Sequence, residues 1–438
     1  MKILVIGSGA REHAILKALE RSAQPKTLYC FGTTLNPGIA LLCAHYSVGD
    51  VCDSAAILAK AKSWEIDLAI IGPEAPLAEG LADRFWQMDI PTIGPKKNLA
   101  QIETSKEFAR DLMKKYEIAG LPHYQKFNSL DKVEDFLHEL GHKNYVIKAN
   151  GLMGGKGVKV AGEHLHSIAE AKLFCNEILR KKQTFIIEEK LIGQEFSFMC
   201  FADGKKLIPM PLVQDHKRAY SGDLGPNTGG MGSYSDANHS LPFLIDEEVE
   251  QALAINNAVF HALSKECNEP YIGILYGSFI ATQKGIYVIE FNARFGDPEA
   301  LNVLSILESD FLEICQAMIT GSLTKQNVQF ANQATVCKYA VPEGYPDNPM
   351  KNFVVDFSRV SDQTNLFLAS VHKSDHMLVA AGSRTAACVG IADNIFAAEK
   401  KAEYQVSMIN GPLFHREDIG TEHLIQDRIA QMTRLRSS

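Results

Sequence analysis

Short apolar runs alternating with helical patterns dominate the first hundred residues. Residues 2–6 predict a buried strand, and Gly7-Ser8-Gly9-Ala10-Arg11-Glu12-His13 opens a helical pattern that runs through Leu19. Asp67 to Ile71 is a second apolar strand, ending in Gly72-Pro73-Glu74-Ala75-Pro76-Leu77. Repeated strand–turn–helix units predict one doubly wound α/β domain over about the first hundred residues, with ligands collecting at the carboxyl ends of its strands. Thr104 to Lys115 reads as a helix, with Thr104 as cap and Glu107 at the capping-box position. Gly120-Leu121-Pro122 breaks the pattern, and strand and helix signals then alternate to about residue 190. Thr184 to Ile187 predicts a strand, and Tyr271 to Ala281 with Ile286 to Phe291 predicts a hairpin around Gln283-Lys284-Gly285. Residues 214–234 carry almost no apolar periodicity and read as a long glycine-rich loop, which inside a compact enzyme points to substrate contact. After the turn-rich stretch 341–346 the chain changes character, with strand-like segments and a helix over about 393–409.

Composition narrows the field. A chain of 438 residues exceeds what a single core usually serves, so several domains are expected. Hydrophobic residues at 46% and charged residues at 22% are ordinary for a soluble globular protein. A net charge of -8 argues against a general nucleic-acid or anionic-membrane binder. No apolar run approaches a membrane span, and the apolar start is too short for a signal peptide. Nine cysteines without a CxxC pair fit free thiols in a reducing cytoplasm.

The chemistry is concentrated in a few stretches. Residues 148–158 run Lys148-Ala149-Asn150-Gly151-Leu152-Met153-Gly154-Gly155-Lys156-Gly157-Val158, between Val146-Ile147 and Val158-Lys159-Val160, which predicts strand, loop, strand. Gly151, Gly154, Gly155 and Gly157 leave backbone amides free to wrap an oxyanion, and Lys148 and Lys156 add two cations, as a loop over a triphosphate requires. The spacing is not that of a P-loop: Gly151 lies four residues before Gly155, and β-type residues follow. The Gly7–Gly9 turn before a helix is a natural phosphate seat. As a dinucleotide fingerprint it is poor, because Glu12 fills the third glycine slot and the strand near Tyr29 to Phe31 ends without a ribose-binding acid. Glu74 is a candidate for binding hydroxyls or an amine. Lys106, in the first turn of its helix, opposes the helix dipole unless an anion binds there. Glu188 and Glu189 follow the phosphate-type loop, which suits contacts to an adenine amine and ribose hydroxyls. Residues two apart in a strand share a face, so Glu290 and Asn292 point one way with Phe291 buried opposite. Two oxygen donors side by side suit Mg²⁺ or Mn²⁺, and Arg294 joins that face if the strand continues. In the last part of the chain, Phe414 to Gly420 clusters charges beside apolar anchors.

These stretches, from Gly7–His13 to Phe414–Gly420, resemble the ATP-grasp superfamily and, within it, the family of phosphoribosylamine–glycine ligases. The resemblance runs nearly end to end. Gln214-Asp215-His216-Lys217-Arg218, residues 225–234 and Glu290 to Glu299 are its most specific parts. It implies an α/β fold in three domains: an N-terminal doubly wound pre-ATP-grasp domain (1–102), a two-lobed ATP-grasp domain (103–325, small lid lobe about 124–190) and a small C-terminal α+β domain (326–438). The implied reaction joins glycine to 5-phosphoribosylamine with ATP through a glycyl phosphate, in a cytoplasmic monomer that binds neither nucleic acid nor membrane.

By the same resemblance, Lys106, Lys148, Gly154, Gly155, Lys156 and Gly157 would meet the phosphates, Glu188 the adenine amine, Leu191 a base nitrogen through its amide, and Glu195 the ribose. Glu290 and Asn292 would hold the metal, and Arg294, with Lys156 and Asp215, would serve the transfer. Gly7, Gly9, Glu74, Asp215, Lys217 and Arg218 would face glycine and the sugar phosphate. The chain departs from the family at Gly32 to Gly38, where a Pro-Gly-Asn turn is replaced, at Leu368 to Val371 and at Gly382 to Ala386. These departures fall where the sugar phosphate or its neighbouring domain would be met.

Overall fold

The computed structural model describes residues 1–152 and 157–437. The N-terminal sheet has five parallel strands in the order His45–Val48, Thr27–Gly32, Lys2–Ile6, Leu68–Ile71, Thr92–Ile93. Ile3 to Ile6 and Leu68 to Ile71 are buried along their whole length, as strands covered by helices on both faces must be. The strand order reverses between Lys2–Ile6 and Leu68–Ile71. Their carboxyl ends, carrying Gly7–Gly9 and Gly72–Glu74, therefore open at the switch point where ligands collect in such sheets.

The helix expected over Thr104 to Lys115 runs from Lys106 to Lys115, and an extended Ser105 separates it from a preceding helix, Lys97–Thr104. Ser105, not Thr104, caps the second by accepting from the Phe108 amide at 3.2 Å. Glu107 consequently lies one residue short of the capping-box position.

Two antiparallel sheets follow. One has the order Tyr124–Phe127, Phe185–Glu189, Tyr145–Ala149, Val158–Val160, and the glycine-rich stretch joins its last two strands, with Lys148 opposite Val158. Helices Val133–Leu140 and Ile168–Arg180 cover it. Phe127, Phe136, Tyr145, Ile147, Phe185 and Ile187 pack into a core separate from that of the rest of the molecule. The other sheet runs Leu207–Pro209, Gly193–Asp203, Ile272–Thr282, Gly285–Asn292, backed by the long helix Asp246–Cys267. The expected hairpin is its outer pair, with a register shift that bulges Ile289.

Residues 214–234 are more ordered than their lack of periodicity suggests. Gln214–Asp215 and Gly232–Ser235 enter a sheet with Ala334–Pro342, Ala386–Ala392 and Leu366–Leu368, while Arg218–Tyr220 and Leu224–Asn227 pair as a ribbon. Each strand is too short for alternation to register in the sequence. Leu413–Phe414 adds to the far end of Ala334–Pro342, and Phe353–Val355, Met377–Ala380 and Val371–Ser374 form a three-stranded sheet beside it. Among the described residues no helix is long and apolar enough to cross a membrane.

Because the lobe of residues 124–189 has its own core, Phe185→Ala should loosen that lobe alone. Phe185 is fully buried, and the truncation should cost about 3–5 kcal/mol. Limited proteolysis should then cut within 124–189 while the remainder stays resistant; uniform degradation of the chain would contradict an independent core.

Candidate active site

The two antiparallel sheets face one another across a cavity of about 790 Å³, bounded at one end by the N-terminal domain and at the other by the C-terminal sheet. Lys148 and Glu188 come from neighbouring strands of the lobe sheet, in register through Val146 opposite Glu188. Glu188 is 2% exposed and takes both Arg110, from helix Lys106–Lys115, and Lys148 (2.6 Å) on its carboxylate. Lys148 and Arg110 also donate to the carbonyl of the bulged Ile289, at 3.0 and 2.8 Å. Burial alone would raise the Glu188 carboxyl, but the two cations outweigh it and hold it down at about 2. Lys106 donates to the Gly151 carbonyl at 3.0 Å, fastening the start of the glycine-rich stretch. Its ammonium is lowered by burial, with Glu290 opposing and Lys148 adding to the shift.

Strand Gly285–Asn292 delivers Glu290 and Asn292 to the cavity and buries Phe291 behind them, as alternation requires. The strand stops at Asn292, so Arg294 reaches the same place from the following turn. It donates to Asn292 Oδ1 at 3.3 Å and pairs with Glu103 at 3.0 Å and Glu74 at 3.5 Å. Burial would weaken the Arg294 charge, but Glu103 and Glu74 reinforce it. Burial likewise pushes the Glu290 carboxyl up, and Lys217, Lys148, Lys106 and Arg294 outweigh it. Glu290 and Asn292 offer only hard oxygen donors. That fits a divalent cation completing its shell with water and phosphate oxygens. No group of three or more His, Cys, Asp or Glu that could hold a metal ion occurs among the described residues.

Other residues expected at the site are distributed around this centre. Gly157, Leu191, Glu195, Asp215, Lys217 and Arg218 line the same cavity. Lys217 pairs with Glu195 at 3.4 Å. Arg218 turns toward the lobe, pairing with Glu163 and donating to the Gly225 carbonyl at 2.9 Å. Gly154, Gly155 and Lys156 lie outside the described residues. Gly7 and Gly9 are not on the cavity wall: they close around Glu12, which accepts from the Gly9 amide at 2.7 Å, and a Cβ on Gly7 would lie 2.6 Å from the Glu12 side chain. Arg11, paired with Glu12 at 2.7 Å, and Glu74 are what the N-terminal domain presents instead.

Sequence reasoning missed Arg110, Glu103, Glu299 and Arg384. Arg384 pairs with Asp297 at 3.1 Å, donates to the Gly229 carbonyl at 2.6 Å and stacks on Tyr339. Arg110 and Glu103 sit on helices without a motif. Glu299 and Arg384 lay within stretches already singled out, and their positions there were the available signal.

The lobe sheet over the main sheet, with cations and a carboxylate–amide pair between them, defines an ATP-grasp domain. Residues 1–103, 104–300 and 335–422 match, in turn, the N, ATP-grasp (A) and C domains of phosphoribosylglycinamide synthetase. The chain is 48% identical over 436 residues to the phosphoribosylamine–glycine ligase of Methanosarcina barkeri, covering 100% of both. It is 47% identical over 444 residues to that of Methanococcus maripaludis, covering 99% of this chain and 100% of the relative. The crystal structure of the Thermotoga maritima phosphoribosylamine–glycine ligase superposes with a TM-score of 0.79 at 25% identity, over 95% of this chain and 100% of that one. A biotin carboxylase from Campylobacter jejuni shares the fold at 14% identity, with a TM-score of 0.71 over 99% and 95% of the two chains. The chain belongs to the phosphoribosylglycinamide synthetase family.

Glu188 sets a pH dependence whose sign is fixed. Its folded value, about 2, lies below the ordinary 4.5, so its contribution is complete above about pH 4.5 and is lost as pH falls toward 2. The stability gap between wild type and Glu188→Gln in urea titrations should therefore be widest above pH 5, on the order of 3 kcal/mol, and shrink below it. A gap independent of pH would show that Glu188 is not held ionised.

Proposed function

We infer that this chain joins glycine to 5-phosphoribosylamine at the expense of ATP, giving glycinamide ribonucleotide, ADP and phosphate, the second step of de novo purine biosynthesis. The observation that carries the reading is the single cavity in which Lys106, Lys148, Glu290, Asn292 and Arg294 meet, in a chain matching all three domains of the family.

Glycine's carboxylate attacks the γ-phosphate of ATP to give glycyl phosphate and ADP; the amine of phosphoribosylamine then attacks the acyl carbon, and phosphate leaves. Both steps crowd negative charge, so preorganised cations and exact alignment carry most of the catalysis. Lys106 and Lys148 face the phosphates. Arg294, braced by Glu103 and Glu74, has its guanidinium oriented before substrate arrives and faces the transferred group. Glu290 and Asn292 would hold Mg²⁺ or Mn²⁺, which when bound neutralises phosphate oxygens. The buried Glu188 orients Lys148 and Arg110, while Leu191 and Glu195 face the base and ribose. Glu74, Lys217 and Arg218 serve the glycine and sugar-phosphate end. Gly154, Gly155, Gly157 and Lys156 complete the cover of the triphosphate. Glycyl phosphate hydrolyses in water, and a lobe with its own core can close over it. The same reading makes the enzyme a cytoplasmic monomer.

The test is ADP release with Mg²⁺, glycine and phosphoribosylamine formed in situ, omitting each component in turn. Release should require all of them; release indifferent to phosphoribosylamine would point to another acceptor. Glu290→Ala should lower turnover by about 10²–10³-fold or more while ATP still shifts the melting temperature. Unaltered turnover would remove Glu290 from the transfer centre.

A further inference from the structure

No residue assigned to the reaction lies on the helix Glu422–Ser437, and all but its first residue falls beyond the matched family domains. Leu424, Ile425 and Met432 bury one side of this helix in the main core, against strands Gly193–Asp203 and Ile272–Thr282. Arg428 and Gln431, three residues apart and so neighbours on one face, both reach the wall of the cleft. Polar side chains turned inward from a packed helix need partners there. We infer that Gln431 is a positioning residue for the nucleotide: through two further glutamines it fixes the backbone of Glu195, which faces the ribose. The inference rests on the function proposed above.

The connection is a chain of amides. Gln194 Nε2 donates to Gln431 Oε1 at 2.6 Å, and Gln214 Nε2 donates both to Gln194 Oε1 at 3.2 Å and to the Glu195 carbonyl at 2.9 Å. The Tyr234 hydroxyl donates to Gln214 Oε1 at 2.7 Å, and Gln194, Gln214 and Tyr234 are all buried. The order of donors and acceptors is forced. A carbonyl can only accept, so Gln214 turns its nitrogen toward Glu195 and Gln194. Gln194 meets it with oxygen, which leaves nitrogen for Gln431, and Gln431 has to supply an oxygen. Glu195 is thus held at its own carbonyl and through the residue before it. Its carboxylate stands half exposed in the cleft, 3.4 Å from Lys217, so its placement depends on the backbone beneath it more than on that long contact.

The helix is itself pinned on either side of Gln431. Arg428 and the fully buried Arg416 converge on Asp223, at the turn of the ribbon formed by Arg218–Tyr220 and Leu224–Asn227. Arg436 pairs with Glu248 at 2.6 Å and donates to the Phe243 carbonyl at 2.7 Å. These anchors set the rotation and height of the helix, so Gln431 offers its oxygen at one place. Without that oxygen the Gln194 amide would be left buried with a donor unmet, which is costly. The strand would have to shift to satisfy it, and the shift would fall where Glu195 stands.

The experiment compares ATP with 2′-deoxy-ATP and 3′-deoxy-ATP on the full-length enzyme and two variants. Gln431→Met keeps the bulk and removes the acceptor, whereas Gln431→Glu keeps an accepting oxygen. Binding is read from the nucleotide-dependent shift in melting temperature, and KM from ADP release. Wild type should discriminate against at least one of the deoxynucleotides. In Gln431→Met the unmet donor should raise KM for ATP about tenfold and shrink that discrimination, with KM for glycine unchanged. Gln431→Glu should keep the wild-type discrimination. A loosened fold would instead weaken ATP and both deoxynucleotides in proportion. Such a proportional loss, wild-type discrimination in Gln431→Met, or a Gln431→Glu that falls as far as Gln431→Met would each overturn the positioning role. If wild type binds all three nucleotides equally, Glu195 holds no ribose hydroxyl and the inference falls. ADP release that still requires glycine and phosphoribosylamine would then leave the proposed function standing.

Discussion

One buried carboxylate holds the catalytic cleft together. Glu188 belongs to the lobe sheet, Arg110 to the helix beneath it, and both Arg110 and Lys148 reach across to the Ile289 carbonyl of the main sheet. Three separately formed pieces therefore meet at one ionic knot. Such a knot is not a cheap source of stability, because desolvating three charges offsets much of their attraction. Its value is positional. Removing Glu188 would leave two buried cations without a carboxylate between them, so the arrangement of the two sheets is tightly specified where the nucleotide has to lie. Lys148 is thereby aimed without any contribution from ligand.

The N-terminal and C-terminal parts meet along a second seam, which has a different character. Lys17 donates to the carbonyls of Gln363, Thr364 and Leu366 at 2.9, 2.8 and 2.8 Å. His13 accepts from the Leu368 amide at 3.0 Å, and burial lowers its imidazole to about 3, so it remains a neutral acceptor. Asn36, fully buried, donates to Ser8 and Leu368 carbonyls at 2.9 and 2.8 Å. Residues 32–38 and 368–371 are therefore two sides of one contact. Within residues 382–386, Arg384 reaches past the seam to Asp297 and the Gly229 carbonyl.

How far the sequence disclosed this depends on whether a feature is local. The period-two alternation of Glu290, Phe291 and Asn292 and the apolar strands before Gly7 and Gly72 are local, and all were legible. Helix starts are decided by a single dihedral, so Ser105 could replace Thr104 as cap with nothing in the composition to favour it. The strands between 214 and 235 escaped because pairs of two to four residues leave no periodicity. Arg110 and Glu103 were invisible for a deeper reason: their roles exist only once Glu188 arrives from 78 residues away and the turn at Ala293 and Arg294 from 190 or more. Gly7 and Gly9 read as a phosphate seat, whereas in the fold their immediate task is to accommodate Glu12, a conformational requirement that looks the same in sequence.

The charge arithmetic of the cleft explains why an acidic chain can bind a triphosphate and why a divalent cation is needed as well. Lys148 and Arg110 are matched by Glu188, Arg294 by Glu103 and Glu74, Lys217 by Glu195, and Arg384 by Asp297. Most of the positive charge gathered there is thus already neutralised, fixed in orientation but with little excess to offer. Lys106 differs, since its hydrogen bond goes to the neutral Gly151 carbonyl. Among the described residues, one weakly compensated ammonium against three or four phosphate charges leaves the balance strongly negative. Glu290 and Asn292 face the same space. A doubly charged ion held there would restore the balance at the point where phosphoryl transfer adds further charge. Apart from Lys106, these cations are already locked against carboxylate partners before any substrate enters.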